Sequence, residues 1–501
     1  MRAWHIAAGS LLVAVGACGQ MSTGVDCVDK GTNCPPGDDG GSDAADGSVA
    51  LSGVFVSPSG SDSNQGTEAS PVKTIAHALD LAKTAADHRV NACAGTYPEH
   101  LVIDAAHDGV SLYGGYSCAD WSYATTNTVT VAPTDPGPAL TINMLTSGTT
   151  IEDMNFRAPN ASGQDSAGNG ASSIAVLVNA SANVAFHNCA LAAGDGVSAS
   201  PSKPTTPSNY GNGSTAPNGA PDTSATGGAG GATTGAAACM SGSSAGGSGG
   251  TVNIDGGVGS GGDGTSTPTA TLGSASGYDG TGSSISKGHP GANGAAGNGG
   301  QAATSYGTLD AMGWTPSHGG NGSPGNPGQG GGGGAASVPP PTGGNGGGSG
   351  GCGGAGGLGG AGGGASIALA SVASTVTLDG PCSLSTGKGG DAQPGGDGQV
   401  GQAGGSPGSD ASALAGGKGG NGAGGSGGAG GTGGISVCIV YSGIVPAGSP
   451  SCSSGTAGQP GGSGSGNSGG DNGDLNPVPA GTGSPGAQGM AGTTTSPLQV
   501  Q

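Results

Sequence analysis

Between residues 51 and 199 apolar positions follow two rhythms. In TIAHALDLA, Ile75, Ala78, Leu79 and Ala82 fall at i, i+3, i+4 and i+7, the stripe of a helix with one buried face. Elsewhere they form short β-branched runs: VFVS at 54–57, then VNAC, HLVID, VSLYGGY, TVTV, ALTIN, TIEDMNF, SIAVLVN and NVAFHN, separated by Gly, Asn, Asp and Pro. Strands this short and closely spaced predict a stacked solenoid.

Three stretches, VSPSGSDSNQGTEASPVKTIAHAL, AGTYPEHLVI and GVSLYGGY, resemble the opening of right-handed parallel β-helix domains of the pectate-lyase-like superfamily, over about residues 55–195. The resemblance implies that the helix caps the open end of the solenoid, which otherwise presents unpaired backbone as an edge strand does. The fold class expected is all-β: a right-handed parallel β-helix with a short N-terminal capping helix, followed by glycine-rich, polyglycine II-like or disordered extensions on further β strand pairs.

The second half contains a repeat that glycine obscures. SIAVLVNASANVAFHNCALAAGDG (173–196) aligns with SIALASVASTVTLDGPCSLSTGKG (366–389), placing Ile174 on Ile367, Cys189 on Cys382 and Leu191 on Leu384. GGISVCIVYSG (433–443) reads as a further partial unit, and TVNID at 251 as a weaker one. Between the units, GGSGGCGGAGGLGGAGG (347–363) places Ser349, Cys352, Ala355, Leu358 and Ala361 at every third position with glycine elsewhere. GHPGANGAAGNGG and AGGSGGAGGTGGI keep the same step. Three residues per turn is the period of polyproline II, whose backbone groups are unpaired within one helix. Glycine on two of three faces lets such helices approach and bond to one another, in the manner of the glycine-rich antifreeze proteins and phage adhesin tips that these runs resemble. The runs are too short, interrupted and proline-poor for collagen. For 200–365 a packed bundle and a flexible linker both remain open readings.

Composition narrows the classes. Of 501 residues, 120 are Gly and 32 Pro, with 3% aromatic and 8% charged, so a conventional core is not expected over most of the length. The net charge of −20 and the scarcity of Lys and Arg exclude nucleic acid as a partner, and also charge-driven binding to anionic membrane.

MRAWHIAAGSLLVAVGACGQ has a basic residue, an apolar stretch, small residues and then a cysteine, the form of an export signal. VGAC resembles a bacterial lipobox, which implies cleavage before Cys18 and lipid on its thiol, while Gly19 implies outer-membrane sorting. Removing Cys18 leaves an even set of disulfide candidates for an oxidising compartment: Cys27, Cys34, Cys93, Cys118, Cys189, Cys239, Cys352, Cys382, Cys438 and Cys452. No CxxC occurs among them, so zinc and thioredoxin-like readings have no support, and no metal or cofactor is expected. The expected organisation is a signal peptide (1–17), a lipidated Cys18 with an acidic stalk (18–50), a β-helix (51–199), a glycine-rich region (200–365), a second strand unit (366–445) and a glycine/serine-rich tail (446–501).

Chemistry is sparse. Lyases of the resembled superfamily use an aspartate cluster and a basic residue, for which Arg157 beside Glu152 and Asp153 is the candidate set. Neighbouring residues on a strand point to opposite faces, so a solvated corner is the preferred reading and no catalytic residue is assigned. Tyr113, Tyr116, Trp121 and Tyr123 form either a sugar-stacking patch or, preferably, a packed cover pinned by Cys118. The GGDG sequences at 261 and 395 lack the frame of calcium-binding nonapeptides. The expectation is a non-catalytic surface lipoprotein with a structural or adhesive role in the envelope or matrix, its partners the membrane through the lipid and polysaccharide or other envelope components. A polysaccharide-binding or polysaccharide-cleaving β-helix is the alternative.

Overall fold

A computed structural model describes residues 51–210, 216–222, 226–232, 239–240, 242–252, 261–267, 287–337, 341–471 and 480–500. The expected signal peptide and stalk, with Cys18, lie outside these residues, as does most of TVNID.

The short strands stack into three all-parallel sheets. Sheet 1 contains Val54–Val56, Arg89–Cys93, Ser111–Tyr116, Thr149–Glu152, Val184–His187, Val376–Asp379 and Ala447–Gly448. Sheet 2 contains Gly95–Tyr97, Val129–Val131, Met154–Arg157, Ala190–Ala192, Ser383–Ser385 and Ser451–Ser453, and sheet 3 contains Leu101–Ile103, Leu140–Asn143, Ser173–Asn179, Ser366–Val372, Ser436–Ser442 and Leu498–Gln499. The chain visits sheets 1, 2 and 3 in turn and then repeats, so each circuit is one rung of a parallel β-helix.

Alternation along each strand sends every second side chain inward, and the register stacks like on like. Val54, Val90, Leu112, Ile151, Phe186 and Leu378 form one buried column, and Leu101, Leu140, Val176, Leu369 and Ile439 form another. The turn from sheet 3 to sheet 1 stacks left-handed residues at Met144, Ala180, Ala373 and Gly443. The helix Ile75–Ala82 closes the first rung with Ile75, Ala78, Leu79 and Ala82 buried. Thr74 caps it by accepting from the His77 N–H, and the Glu99 carboxylate accepts from the N–H groups of Ile75 and Ala76 at 2.8 and 3.0 Å.

The repeat in the second half is rung register. Ile174 pairs with Ile367 and Leu191 with Leu384, and Ile367 pairs in turn with Val437. The strand unit at 366–445 is thus the continuation of the first β-helix, and the last residues contribute strands to all three sheets rather than a plain tail. Every glycine-rich segment is an insertion at one corner, where the chain passes from sheet 2 to sheet 3. Down the β-helix that corner comprises 98–100, 132–139, 158–172, 193–365, 386–435 and 454–497.

The described parts of 200–365 pack with the other two long insertions, so the reason for order is tertiary: three stems leave stacked rungs side by side. Segment 416–434 lies at the centre. Its N–H groups at Ala423, Ser426 and Ala429 donate to the carbonyls of Asn326, Ser323 and Gly320. Those of Gly424, Gly427 and Gly430 donate to Gly481, Ser484 and Ala487, and those of Gly425, Gly428 and Gly431 to Gln399, Gly396 and Gln393. Its carbonyls accept on the same three-residue step, from Gly354, Gly357 and Gly360, from Asn467, Gly464 and Gly461, and from Gly291, Gly294 and Gly300. Six neighbouring segments therefore satisfy one extended helix, with no hydrogen bond inside it. Glycine is required by the close approach: a Cβ on Gly425 would stand 1.8 Å from the Ala355 oxygen. The third face carries Ala423, Ser426, Ala429 and Thr432, all buried.

A hairpin absent from the sequence reading, Gly307–Asp310 with Gly313–Pro316, leaves the first insertion and lies on the outer face of sheet 3. Leu309 and Trp314 pack there against Ile174, Ile367, Ala370 and Val437. This second layer explains why SIAVLVN, SIALASV and SVCIVYS are buried along nearly their whole length instead of alternating.

Candidate functional site

The outer face of sheet 1 carries a column of polar side chains, one per rung: Asn91, Tyr113, Glu152, His187 and Asp379. They face outward because their neighbours Val90, Leu112, Ile151, Phe186 and Leu378 face the core. Arg89 anchors the first end. Its guanidinium lies 3.9 Å from the Tyr113 ring centroid, its Nη2 donates to the Tyr116 hydroxyl at 2.8 Å, and its Nε donates to Asn91 Oδ1 at 2.8 Å. Glu152 is half-buried, and burial, reinforced by the neighbouring Asp153 charge, raises its pKa against the opposing pull of His187 and Arg89.

The candidate acid and base residues do not form a working set. Asp153 occupies the corner between sheets 1 and 2 with φ 56°, where its carboxylate accepts hydrogen bonds from the Tyr123 hydroxyl, at 2.8 Å, and from the Asn188 amide. Arg157 is exposed at the end of a sheet 2 strand, around that corner from Glu152, and makes no ion pair among the described residues. Asp397, in the second GGDG, accepts from Lys203 Nζ at 2.6 Å and the Ser465 N–H at 2.7 Å, a cross-link between successive insertions. Among the described residues no group of three or more His, Cys, Asp or Glu has the arrangement to hold a metal ion.

The aromatic residues form packing. Phe55, Cys93, Tyr116 and Trp121 make a small separate core, with Phe55 and Trp121 edge to face at 4.7 Å and the Cys93–Cys118 disulfide across it. The Trp121 indole N–H donates to the Glu68 carbonyl at 3.2 Å.

Disulfides also join Cys239 to Cys352 and Cys438 to Cys452. Cys27 and Cys34 lie outside the described residues. The expectation that all ten remaining cysteines pair is corrected at Cys189 and Cys382, which are buried free thiols. Both sit just before sheet 2 on adjacent rungs, and each sulfur turns to backbone carbonyls: Cys189 to His187 at 3.2 Å, Cys382 to Asp379 at 3.0 Å. Burial raises both thiol pKa values, so neither is a ready nucleophile. The equivalence of these cysteines in the sequence repeat reports a shared core position.

Residues 58–158 match a family described as a protein of unknown function (DUF1565), one associated with parallel β-helix proteins. The match covers the capping helix and the first rungs and ends before the long insertions. No curated protein and no solved structure matches the chain. Among the described residues no helix is long and apolar enough to cross a membrane.

Proposed function

We propose that this protein is a surface-anchored lipoprotein with a structural or adhesive role in the cell envelope or extracellular matrix, without catalysis. In this reading the signal peptide is removed, Cys18 carries lipid, the acidic stalk spans the distance from the outer membrane, and the β-helix serves as a peg. The observation that carries the reading is the common origin of the three long insertions. They leave one corner of consecutive rungs and are bonded into one lattice through backbone groups, so the strand stack holds a broad, rigid body to one side. The pectate-lyase-like resemblance is consistent with the peg. The polysaccharide-cleaving alternative requires Arg157 to meet Glu152 and Asp153, and their separation around a corner weighs against it.

Fractionation of cells making the wild type and Cys18→Ser tests the anchor, with protease added to intact cells to test display. Wild type is expected in the outer-membrane fraction and open to external protease, and Cys18→Ser in the soluble fraction. A wild type that is soluble, or protected in intact cells, would sink the proposal.

A further inference from the structure

The two ends of the β-helix differ. The helix Ile75–Ala82 lies across the first rung and brings the Asp80–Lys83 ion pair with it. At the other end Ala447–Gly448, Ser451–Ser453 and Leu498–Gln499 are the terminal strands of sheets 1, 2 and 3. Every residue of the first two strands is exposed, and among the described residues no further strand pairs with any of the three.

The ladder of sheet 2 shows which groups are left over. The Ser451 N–H donates to the Cys382 carbonyl at 3.0 Å, and the Ser453 carbonyl accepts from the Thr386 N–H at 3.1 Å, so both residues bond to the preceding rung. Backbone groups alternate in direction along a strand, so the N–H and C=O of Cys452 point the other way, off the end of the stack. Its side chain is held in the disulfide with Cys438. An identical strand satisfies these groups when it lies antiparallel, related by a two-fold axis through Cys452. In that register Cys452 exchanges both N–H···O bonds with its counterpart, and Ser451 lies opposite Ser453 of the second copy. The same axis passes through the opposite corner, where sheet 3 turns into sheet 1. There Ile444 and Val445 stand 55% and 48% exposed, and the axis brings each patch against its mate. The two glycine lattices fall at different corners.

Charge favours the same partner. The chain carries a net charge of −20, yet residues 419–470 and 475–501, which supply the whole terminal rung, contain no Asp, Glu, Lys, Arg or His. Two copies therefore repel through the rest of their surface but not through this face. An edge that must stay single is commonly protected by charge, which this one lacks. Its strands are short, with Pro446, Pro450 and Pro497 just outside them, so the contact is confined to one rung. A two-fold contact of this kind closes on itself instead of growing into a fibre.

We infer that the last rung docks against the last rung of a second copy of this chain, through antiparallel pairing of Ser451–Ser453 about Cys452 and burial of Ile444 and Val445. The pairing itself does not depend on the anchor. Taken with the surface-anchored reading, on which this clause rests, it makes adhesion homophilic: the stalk joins the opposite end of the β-helix, before Val54, so tail-to-tail pairing links copies on facing surfaces.

Sedimentation of the full chain, carrying Cys18→Ser to keep lipid out, is expected to show a monomer–dimer equilibrium between about 1 and 100 µM. Ser451→Asp with Ser453→Asp, and Ser451→Lys with Ser453→Lys, each set like charges opposite one another across the axis and should weaken the dimer at least about tenfold. An equimolar mixture of the two double variants should restore it, because every facing pair is then opposite in charge, a rescue that a folding defect would not give. A parent chain that stays monomeric at about 100 µM, a dimer indifferent to both double variants, or a mixture that associates no more tightly than its components overturns the inference. Fractionation of cells making Cys18→Ser tests the anchor separately, so either reading can fail alone.

Discussion

The β-helix and the glycine lattice share one set of rungs yet satisfy the backbone in opposite ways. In the β-helix each strand bonds within a sheet, and side chains fill the interior, so a column such as Ile151, Phe186 and Leu378 sets the packing. In the lattice the backbone bonds outward to as many as six neighbouring segments, and the absence of side chains sets the packing. The first region fails when atoms are removed, the second when atoms are added.

Phe186→Ala should produce the largest loss in the β-helix, about 3–5 kcal/mol by denaturant unfolding, because the stacked column cannot close over the cavity. Gly425→Ala is the converse test. Its Cβ meets backbone, which has no rotamer to escape into, so a loss of about 1–3 kcal/mol is expected together with new protease sites in 343–365 and 416–434. A Gly425→Ala protein as stable and protease-resistant as wild type would show that the lattice is not close-packed.

Replacing a buried threonine by valine sharpens the comparison because the sign should differ. Thr149 Oγ1 donates to the Val110 carbonyl at 2.7 Å, so Thr149→Val should cost about 1 kcal/mol. Thr432 Oγ1 in the lattice is buried without a partner, so Thr432→Val should be neutral or stabilising by up to about 1 kcal/mol. Thermal melts of the two variants side by side decide it.

The smallest expected effect concerns acids that tie one rung to the next. For Asp108, partial burial opposes the charge, but the Thr146 hydroxyl and the N–H groups of Ser147, Gly148 and Thr146 outweigh it, holding the carboxyl well below its usual range. Asp397 in the lattice is lowered chiefly by Lys203, then by the Ser465 N–H. With folded values depressed, both contribute stability that is complete above the ordinary carboxylate range and lost progressively as pH falls from that range to the depressed folded values. Salt separates them: the Asp397 contribution should shrink with ionic strength, whereas that of Asp108, whose partners are uncharged, should persist. Melting temperatures of Asp108→Asn and Asp397→Asn across pH and salt measure both effects.

Much of the fold was legible because short-range patterns encode it. Ile75, Ala78, Leu79 and Ala82 announced the capping helix, and the Ile174 to Ile367 and Leu191 to Leu384 equivalences anticipated register. The candidate sites were less legible. Glu152 and Arg157 are five residues apart in sequence but on different sheets, since the corner at Asp153 intervenes. The hairpin carrying Trp314 was hidden by its glycine-rich surroundings, although Leu309 and Trp314 are apolar residues flanking an Ala-Met turn.

By itself the sequence determined that strands are short, that a helix with one buried face follows the first of them and that glycine recurs in threes. These follow from side-chain periodicity and from steric tolerance, both properties of neighbouring residues. Tertiary structure alone decided that every long insertion leaves the same corner, that Cys189 and Cys382 remain thiols, and that one lattice helix is enclosed by six others. The physical reason is that an extended glycine helix has no internal hydrogen bonds. Its partners lie tens to hundreds of residues away along the chain, and only the stacking of rungs brings them within bonding distance.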